Sequence, residues 1–230
     1  MMAKKKSESN QNIENVETAL SRTELFIEKH QKTITYTILI IVLLVVGYFG
    51  YKRYILQPKA EQAVAEAFVA ERHFARDSFR LALEGDGVNY GFLDIIDNYG
   101  GTPYANLSKY YAGICYLNLG EFDAAIEYLK DFKSKDMMVG ANAQGLLGDA
   151  YLETGDSKNA VKAYDKAAKL ANNKFLSPIY LMKKGRSLEI QGEYDKALTV
   201  YNTIEEDWYG TREQREIEKY QERAKLQLNE

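Results

Sequence analysis

Two patterns of apolar residues divide this chain. Residues 33–51, TITYTILIIVLLVVGYFGY, are rich in aliphatic and aromatic side chains and carry no charge. From residue 60 onward, apolar and small residues instead recur every three or four positions between charged ones. The first pattern is typical of a helix that is apolar on every side, and the second of helices that bury one stripe. Because no alternating run long enough for a sheet occurs, the sequence predicts an all-α protein.

Small residues repeat within the second pattern. A glycine recurs after 35 and then 37 residues, a second glycine follows each of these after seven residues, and an alanine follows after five more. The three copies are Gly113, Gly120 and Ala125; Gly148, Gly155 and Ala160; and Gly185, Gly192 and Ala197. A period of this length is typical of stacked helical hairpins.

Each small residue has a predicted role in its hairpin. Glycine inside a helix costs about 1 kcal/mol relative to alanine, so we expect the first glycine to allow a close approach of the second helix. The alanine is expected to supply the matching small surface on that second helix. The second glycine is expected to end the first helix, because glycine readily adopts a positive φ.

The three copies resemble tetratricopeptide repeats, and the strongest copy is residues 116–132, YLNLGEFDAAIEYLKDF. The resemblance implies an α-solenoid in which the first helix of each pair lines a concave groove, with side chains one turn apart pointing into it. The candidate partner-binding side chains, called the groove residues below, are Leu107, Tyr110, Ile114, Leu117, Asn142, Asp149, Leu152, Ile179, Met182, Arg186 and Glu189.

The groove residues are apolar and aromatic in the first copy and mixed in the other two. Such a surface suits a partner helix or an extended apolar segment. Arg186 is the only basic residue among them, which disfavours a clamp for a peptide carboxylate. In the alternative interpretation, some of these side chains only pack against the next repeat.

The chain divides into five predicted segments. They are a cytoplasmic N-terminal segment at 1–32, a transmembrane helix at 33–51, membrane-proximal helices with an irregular first repeat at 52–104, three repeats at 105–210 and a capping helix at 211–230. Thr211 and Gln214 fit a capping box that opens the last helix, with Lys219 and Arg223 on its solvated face. In the first segment, Ile13, Val16, Leu20 and Ile27 form a thin apolar stripe. The stripe favours a helix at the membrane surface over a docking helix.

The apolar run is long enough to cross a bilayer. About 19 residues at ~1.5 Å each span roughly 28 Å, close to the hydrocarbon thickness. A signal peptide is the alternative, but its apolar region is shorter and ends at small residues, whereas this run ends in Tyr51, Lys52, Arg53 and Tyr54, a pattern of interfacial anchors. We therefore predict an uncleaved anchor. Basic residues near the span are balanced on its two sides, and only the cluster at 4–6 favours a cytoplasmic N-terminus.

Composition excludes several kinds of chemistry. The formal net charge is −3, so no strongly basic surface indicates nucleic acid. His30 and His73 have no ligand cluster around them, and the single cysteine, Cys115, fits a small core position. We therefore predict no enzyme, cofactor, metal or small-molecule substrate, and expect protein partners and membrane lipid.

A short polar N-terminus, one apolar span and a C-terminal repeat domain resemble the YfgM-like family of bacterial inner-membrane proteins. Residues 79–132, with FRLALEGDG, GFLDIIDNYGGTPYANLSKYYAGICYLNLGEFDAAI and YLKDF, look most like Bacteroidota members. The resemblance implies association with the Sec translocon and with a membrane-anchored periplasmic chaperone of the prolyl-isomerase type, with the repeats in the periplasm. It implies no catalytic residues. The alternatives are a structural scaffold of another envelope complex, such as a division or secretion machine, or a cytosol-facing adaptor of an organelle membrane.

Overall fold

The computed structural model describes residues 29–229, which are helical with connecting turns and contain no strand. The fold class predicted from the sequence is therefore confirmed. The chain forms two units, Met1–Gln57 and Pro58–Glu230. The predicted apolar stripe of residues 13–27 and the lysine cluster at 4–6 lie outside the described residues.

The first unit contains helix α1, which covers residues 29–51 and is followed by a π-helical turn, Lys52–Leu56. Its aliphatic side chains are exposed from Ile38 to Val46. Among the described residues, the helical stretch Lys29–Phe74 is the one that is long and apolar enough to cross a membrane.

Within its described residues, the second unit contains ten helices with short connections, and the first of them begins one residue before the unit. They are α2 (Gln57–Phe74), α3 (Phe79–Glu84), α4 (Phe92–Asn98), α5 (Pro103–Leu119), α6 (Phe122–Asp131), α7 (Met137–Glu153), α8 (Ser157–Ala171), α9 (Ser177–Ile190), α10 (Tyr194–Asp207) and α11 (Arg212–Leu228). Helices α5 and α6, α7 and α8, and α9 and α10 form three hairpins, and α11 packs on α10 and α9.

The turn inside each hairpin is closed by the predicted glycine. Gly120, Gly155 and Gly192 have φ values of 76°, 79° and 73°, a left-handed conformation that ordinary side chains disfavour. In every hairpin, the residue after this glycine donates its N–H to the carbonyl five residues earlier, at 2.8–2.9 Å. This bond satisfies a carbonyl that the end of the helix would otherwise leave unpaired. The predicted role of these three glycines is therefore confirmed.

The first glycine of each copy does allow a close approach, but the partner is different from the one predicted. An added Cβ at Gly148 would lie 2.5 Å from Cε1 of Tyr164, and one at Gly185 would collide with the ring of Tyr201. Leu129 takes the same place over Gly113. The expected alanines are fully buried, but they are not the side chains over the glycines. A ring has far more surface to bury than a methyl group, so it makes fuller use of the space.

Helices α2, α3 and α4 cover the open side of the first hairpin. Phe74, Phe92 and Tyr111 form an aromatic cluster there, with the last two rings stacked at 4.9 Å. Tyr104 of α5 also donates a hydrogen bond to Glu71 of α2. Cys115 is fully buried beside the cluster, and burial raises the pKa of its thiol to about 12. It is therefore a core residue, as the sequence predicts.

The last helix begins where the capping box predicts, but one of the two hydrogen bonds of the box has a different donor. Thr211 Oγ1 accepts a hydrogen bond from the Gln214 N–H at 3.2 Å. The Gln214 side chain, however, accepts from the N–H of Gly210 at 3.4 Å, because the Thr211 N–H already donates to the Trp208 carbonyl.

We expect Gly148→Leu to destabilise the repeat unit, because the new side chain would occupy the place of the Tyr164 ring. Overpacking costs about 1–3 kcal/mol, out of a total of about 5–15 kcal/mol for a domain. The measurement is thermal unfolding of the full chain in detergent, followed by circular dichroism. Gly140→Ala is the control, because a Cβ there lies an ordinary 3.6 Å from the Ser134 Cβ. A parental melting temperature for Gly148→Leu would contradict this packing.

Candidate protein-binding surface

The groove residues lie on α5, α7 and α9, the first helices of the three hairpins. Asn142, Ile179 and Arg186 are exposed, and the other eight are half-buried. The half-buried members are partly engaged by the fold. Tyr110 and Leu117 pack against the core between the first two hairpins, whereas Leu152 and Met182 pack against the next two core clusters. These four therefore support the solenoid as well as bordering the surface.

A hydrogen-bonded bridge joins the three first helices at one level. The Asn142 side-chain amide donates to the Tyr110 hydroxyl at 2.6 Å, and its oxygen accepts from the Tyr180 hydroxyl at 3.2 Å. One asparagine on α7 thus contacts both neighbouring helices. Gly145 makes room for the Tyr180 ring. Burial raises the pKa of Tyr180 to about 12, so this hydroxyl keeps its proton at neutral pH.

A second polar cluster lies further along the same surface. Asp149 accepts a hydrogen bond from the Tyr164 hydroxyl at 2.6 Å and forms an ion pair with Lys183 at 2.7 Å. The Lys183 ammonium also lies 5.7 Å from the centre of the Tyr164 ring. Burial, and then the bond to Asp149, raise the pKa of Tyr164. The cluster ties the second hairpin to the third through one carboxylate.

A third polar contact closes the C-terminal end of the surface. The Glu189 carboxylate accepts hydrogen bonds from Nε and Nη2 of Arg223 on α11, the first at 3.2 Å. Arg223 was predicted on the solvated face of the capping helix, and this prediction is wrong in part. Its side chain is 49% exposed, but its guanidinium faces α9, because α11 packs on both α9 and α10.

Sequence reasoning missed two basic residues at this surface. Lys183 lies outside the one-turn spacing that selected the groove residues, and Arg223 lies beyond the repeats. Lys183 could have been predicted from Asp149, an acidic residue on the preceding first helix that requires a basic partner. The basic character of the C-terminal half of the surface is therefore greater than Arg186 alone indicates.

Within residues 29–229, no group of three or more His, Cys, Asp or Glu side chains is placed to hold a metal ion. His73 lies 3.8 Å from Asp86, in a turn where Asn89 holds the pKa of that carboxyl down to about 2.

The stacked hairpins and their side-chain surface define a helical-repeat scaffold, a class of protein that binds other proteins. Models of the tetratricopeptide repeat match residues 108–136, 138–175 and 146–210. The repeats of this chain are therefore tetratricopeptide repeats, and they form a protein–protein interaction module. No curated protein matches the chain.

Solved structures share the architecture. The nearly identical TPR-like repeats of a kinesin light chain from Podosopora anserina match with a TM-score of 0.56 and 12% identity, over 74% of this chain and 88% of that one. The MamA protein matches with a TM-score of 0.54 and 20% identity, over 74% of this chain and 89% of that one. At these identities, the likeness shows the fold alone.

We expect Asp149→Ala to lower the free energy of unfolding by about 1–3 kcal/mol. It leaves the fully buried Tyr164 without an acceptor and Lys183 without its counterion. The measurement is urea unfolding of the full chain in detergent. Glu153→Ala, an exposed carboxylate one turn further along α7, is the control and should change stability by less than about 0.5 kcal/mol. Equal stability of the two variants would show that the contacts of Asp149 with Tyr164 and Lys183 contribute nothing to stability.

Proposed function

We propose that this protein is a membrane-anchored interaction module that associates with the Sec translocon and with a membrane-anchored periplasmic chaperone of the prolyl-isomerase type. In this role it assists newly exported proteins. The observation that carries the proposal is the combination of one helix long and apolar enough to cross a membrane with a tetratricopeptide scaffold. The likeness of the whole arrangement to the YfgM-like family supports the choice of partners.

The proposed orientation places the N-terminus in the cytoplasm and the repeats in the periplasm of a bacterial inner membrane. The four segments after residue 32 then have distinct roles. Residues 33–51 anchor the protein, residues 52–104 connect the anchor to the scaffold, residues 105–210 bind partners, and residues 211–230 cap the last repeat.

The proposed partner-binding surface consists of the groove residues. Its exposed members are Asn142, Ile179 and Arg186, and the half-buried apolar residues of α5 extend it at the other end. Such a surface offers apolar contact, which gives most of the binding free energy, next to polar groups that fix the orientation of the partner. The intramolecular bridges hold its side chains in place before a partner arrives, which lowers the entropy lost on binding.

Copurification from mild detergent tests the choice of partners. The full chain should enrich translocon subunits and a membrane-anchored prolyl isomerase over an unrelated anchored protein. We expect Ile179→Asp to reduce this enrichment about tenfold, because a charge would be placed in an apolar contact. Leu226→Asp makes the same change on the exposed part of α11, where Leu226 is 65% exposed, and should retain the partners.

Both aspartate variants must melt within a few degrees of the parent, which shows that they are folded. Enrichment of division or secretion components, without translocon subunits, would favour the structural scaffold instead. If Leu226→Asp loses the partners and Ile179→Asp keeps them, the interface does not lie on the groove residues.

A fusion of alkaline phosphatase after Glu230 tests the orientation. The enzyme should be active, because it folds only outside the cytoplasm, and a fusion of the same length to a cytoplasmic reporter should be inactive. An expressed but inactive phosphatase that stays protected from protease in spheroplasts would place the repeats in the cytoplasm. That outcome would remove the translocon–chaperone proposal.

A further inference from the structure

A cleft of about 460 Å³ opens between α9, α10 and α11, at the C-terminal end of the groove residues. Its walls are formed by Arg186, Glu189, Ile190, Tyr194, Arg223 and Gln227. Two of these are groove residues, whereas the others come from the end of α9, the start of α10 and the capping helix. The cleft therefore exists only because the cap packs on the third hairpin.

One arginine of the cleft is fixed in position. Arg223 donates from both Nε and Nη2 to Glu189 and lies 5.0 Å from the centre of the Tyr220 ring. The Glu189 side chain is only 12% exposed, so this carboxylate is held by the fold. An arginine bound in this way loses little further side-chain entropy when it meets a ligand.

A buried tyrosine lies next to this pair, outside the walls of the cleft. Tyr201 is fully buried, and its hydroxyl lies beside Glu189 and Arg223 without a hydrogen bond of ordinary geometry. Burial, and then the nearby Glu189 carboxylate, raise the pKa of Tyr201. The hydroxyl is thus neutral, and because it is fully buried and outside the cleft walls, it does not itself meet a ligand.

The second arginine of the cleft has no such partner. Arg186 is exposed, and among the residues that the structure describes it makes no hydrogen bond or ion pair. Glu189 is the only carboxylate in the walls, and it is already bound to Arg223. The cleft therefore carries an excess of one positive charge.

This charge and the shape of the walls select a class of ligand. One uncompensated guanidinium matches one carboxylate, which it can bind through two parallel N–H donors, whereas a phosphate dianion would remain half neutralised. Ile190, 68% exposed, gives an apolar wall beside the charge. A peptide that carries an acidic residue next to an aliphatic one fits both features.

We propose that the cleft binds an acidic, aliphatic segment of a protein partner, with a carboxylate on Arg186 and Arg223 and the aliphatic side chain on Ile190. The inference rests on the protein-binding function proposed above and adds the chemistry that the partner must present. It also revises the expectation that binding of a peptide carboxylate is disfavoured. That expectation considered only the basic residues of the first helices. Arg223, which that expectation left out, comes from the capping helix.

Titration of the full chain in detergent micelles, with ¹⁵N-labelled arginine, tests this proposal by NMR. The probes are acetyl-Leu-Glu-Glu-Leu-amide and its uncharged counterpart, acetyl-Leu-Gln-Gln-Leu-amide. The Nε–H signals of Arg186 and Arg223 should shift with saturation on adding the glutamate peptide, and the glutamine peptide should bind at least tenfold more weakly. Inorganic phosphate should also be the weaker ligand.

Two variants separate the cleft from general charge attraction. Arg186→Gln removes an exposed side chain that makes no bond in the described structure, so it should fold normally, and it should weaken the glutamate peptide about tenfold. Arg215→Gln makes the same charge change on an exposed position of α11 and should leave binding unchanged. Equal binding of the two peptides, tighter binding of phosphate, or no effect of Arg186→Gln would overturn the proposal.

The outcome is independent of the partners named above. If the glutamate peptide does not bind but the translocon and chaperone still copurify, only the proposal for the cleft fails. Peptide binding without those partners would instead leave the cleft in place and remove the translocon–chaperone assignment.

Discussion

In the second hairpin and again in the third, a tyrosine ring of the second helix packs directly on a glycine of the first helix and holds the two helices together. Tyr164 and Tyr201 are fully buried in this way over Gly148 and Gly185. Full burial of a large apolar side chain stabilises a fold by about 1.5–3 kcal/mol. The glycine costs about 1 kcal/mol in helix propensity. The gain from burying the ring therefore exceeds the loss, and a residue that weakens an isolated helix strengthens the hairpin.

This packing also decides the chemistry of the surface. A buried tyrosine hydroxyl requires polar surroundings, and in the second hairpin Asp149 accepts its bond and recruits Lys183. In the third hairpin, Glu189 and Arg223 lie beside the hydroxyl. The first hairpin has a leucine in place of the ring, and its surface is apolar. The two acidic groove residues, Asp149 and Glu189, thus lie beside the hairpins whose ring position is a tyrosine.

Features that depend on a few neighbouring residues were predictable from the sequence. The turns at Gly120, Gly155 and Gly192 require a positive φ, which is a property of each residue alone, and the period of the glycines specifies the number of hairpins. The side chain over each first glycine was not predicted, because it lies 16 residues further along the chain. Only the crossing of two helices decides whether an alanine or a ring faces the glycine. The position of Arg223 depends on α9 as well as on its own helix, and the apolar stripe of α11 carries no information about α9.

The contact between Gly145 and Tyr180 has a consequence for the number and order of the repeats. It joins α7 to α9, and it requires a glycine on one helix and an aromatic residue on the next. At the position of Gly145, three residues before the first glycine of the copy, the other two copies carry Tyr110 and Met182. If the third copy followed the first copy or a duplicate of itself, the Tyr180 ring would therefore meet Tyr110 or Met182. These repeats look alike in sequence but are not exchangeable modules, because the third copy can follow only the second without redesign of the joint that receives it.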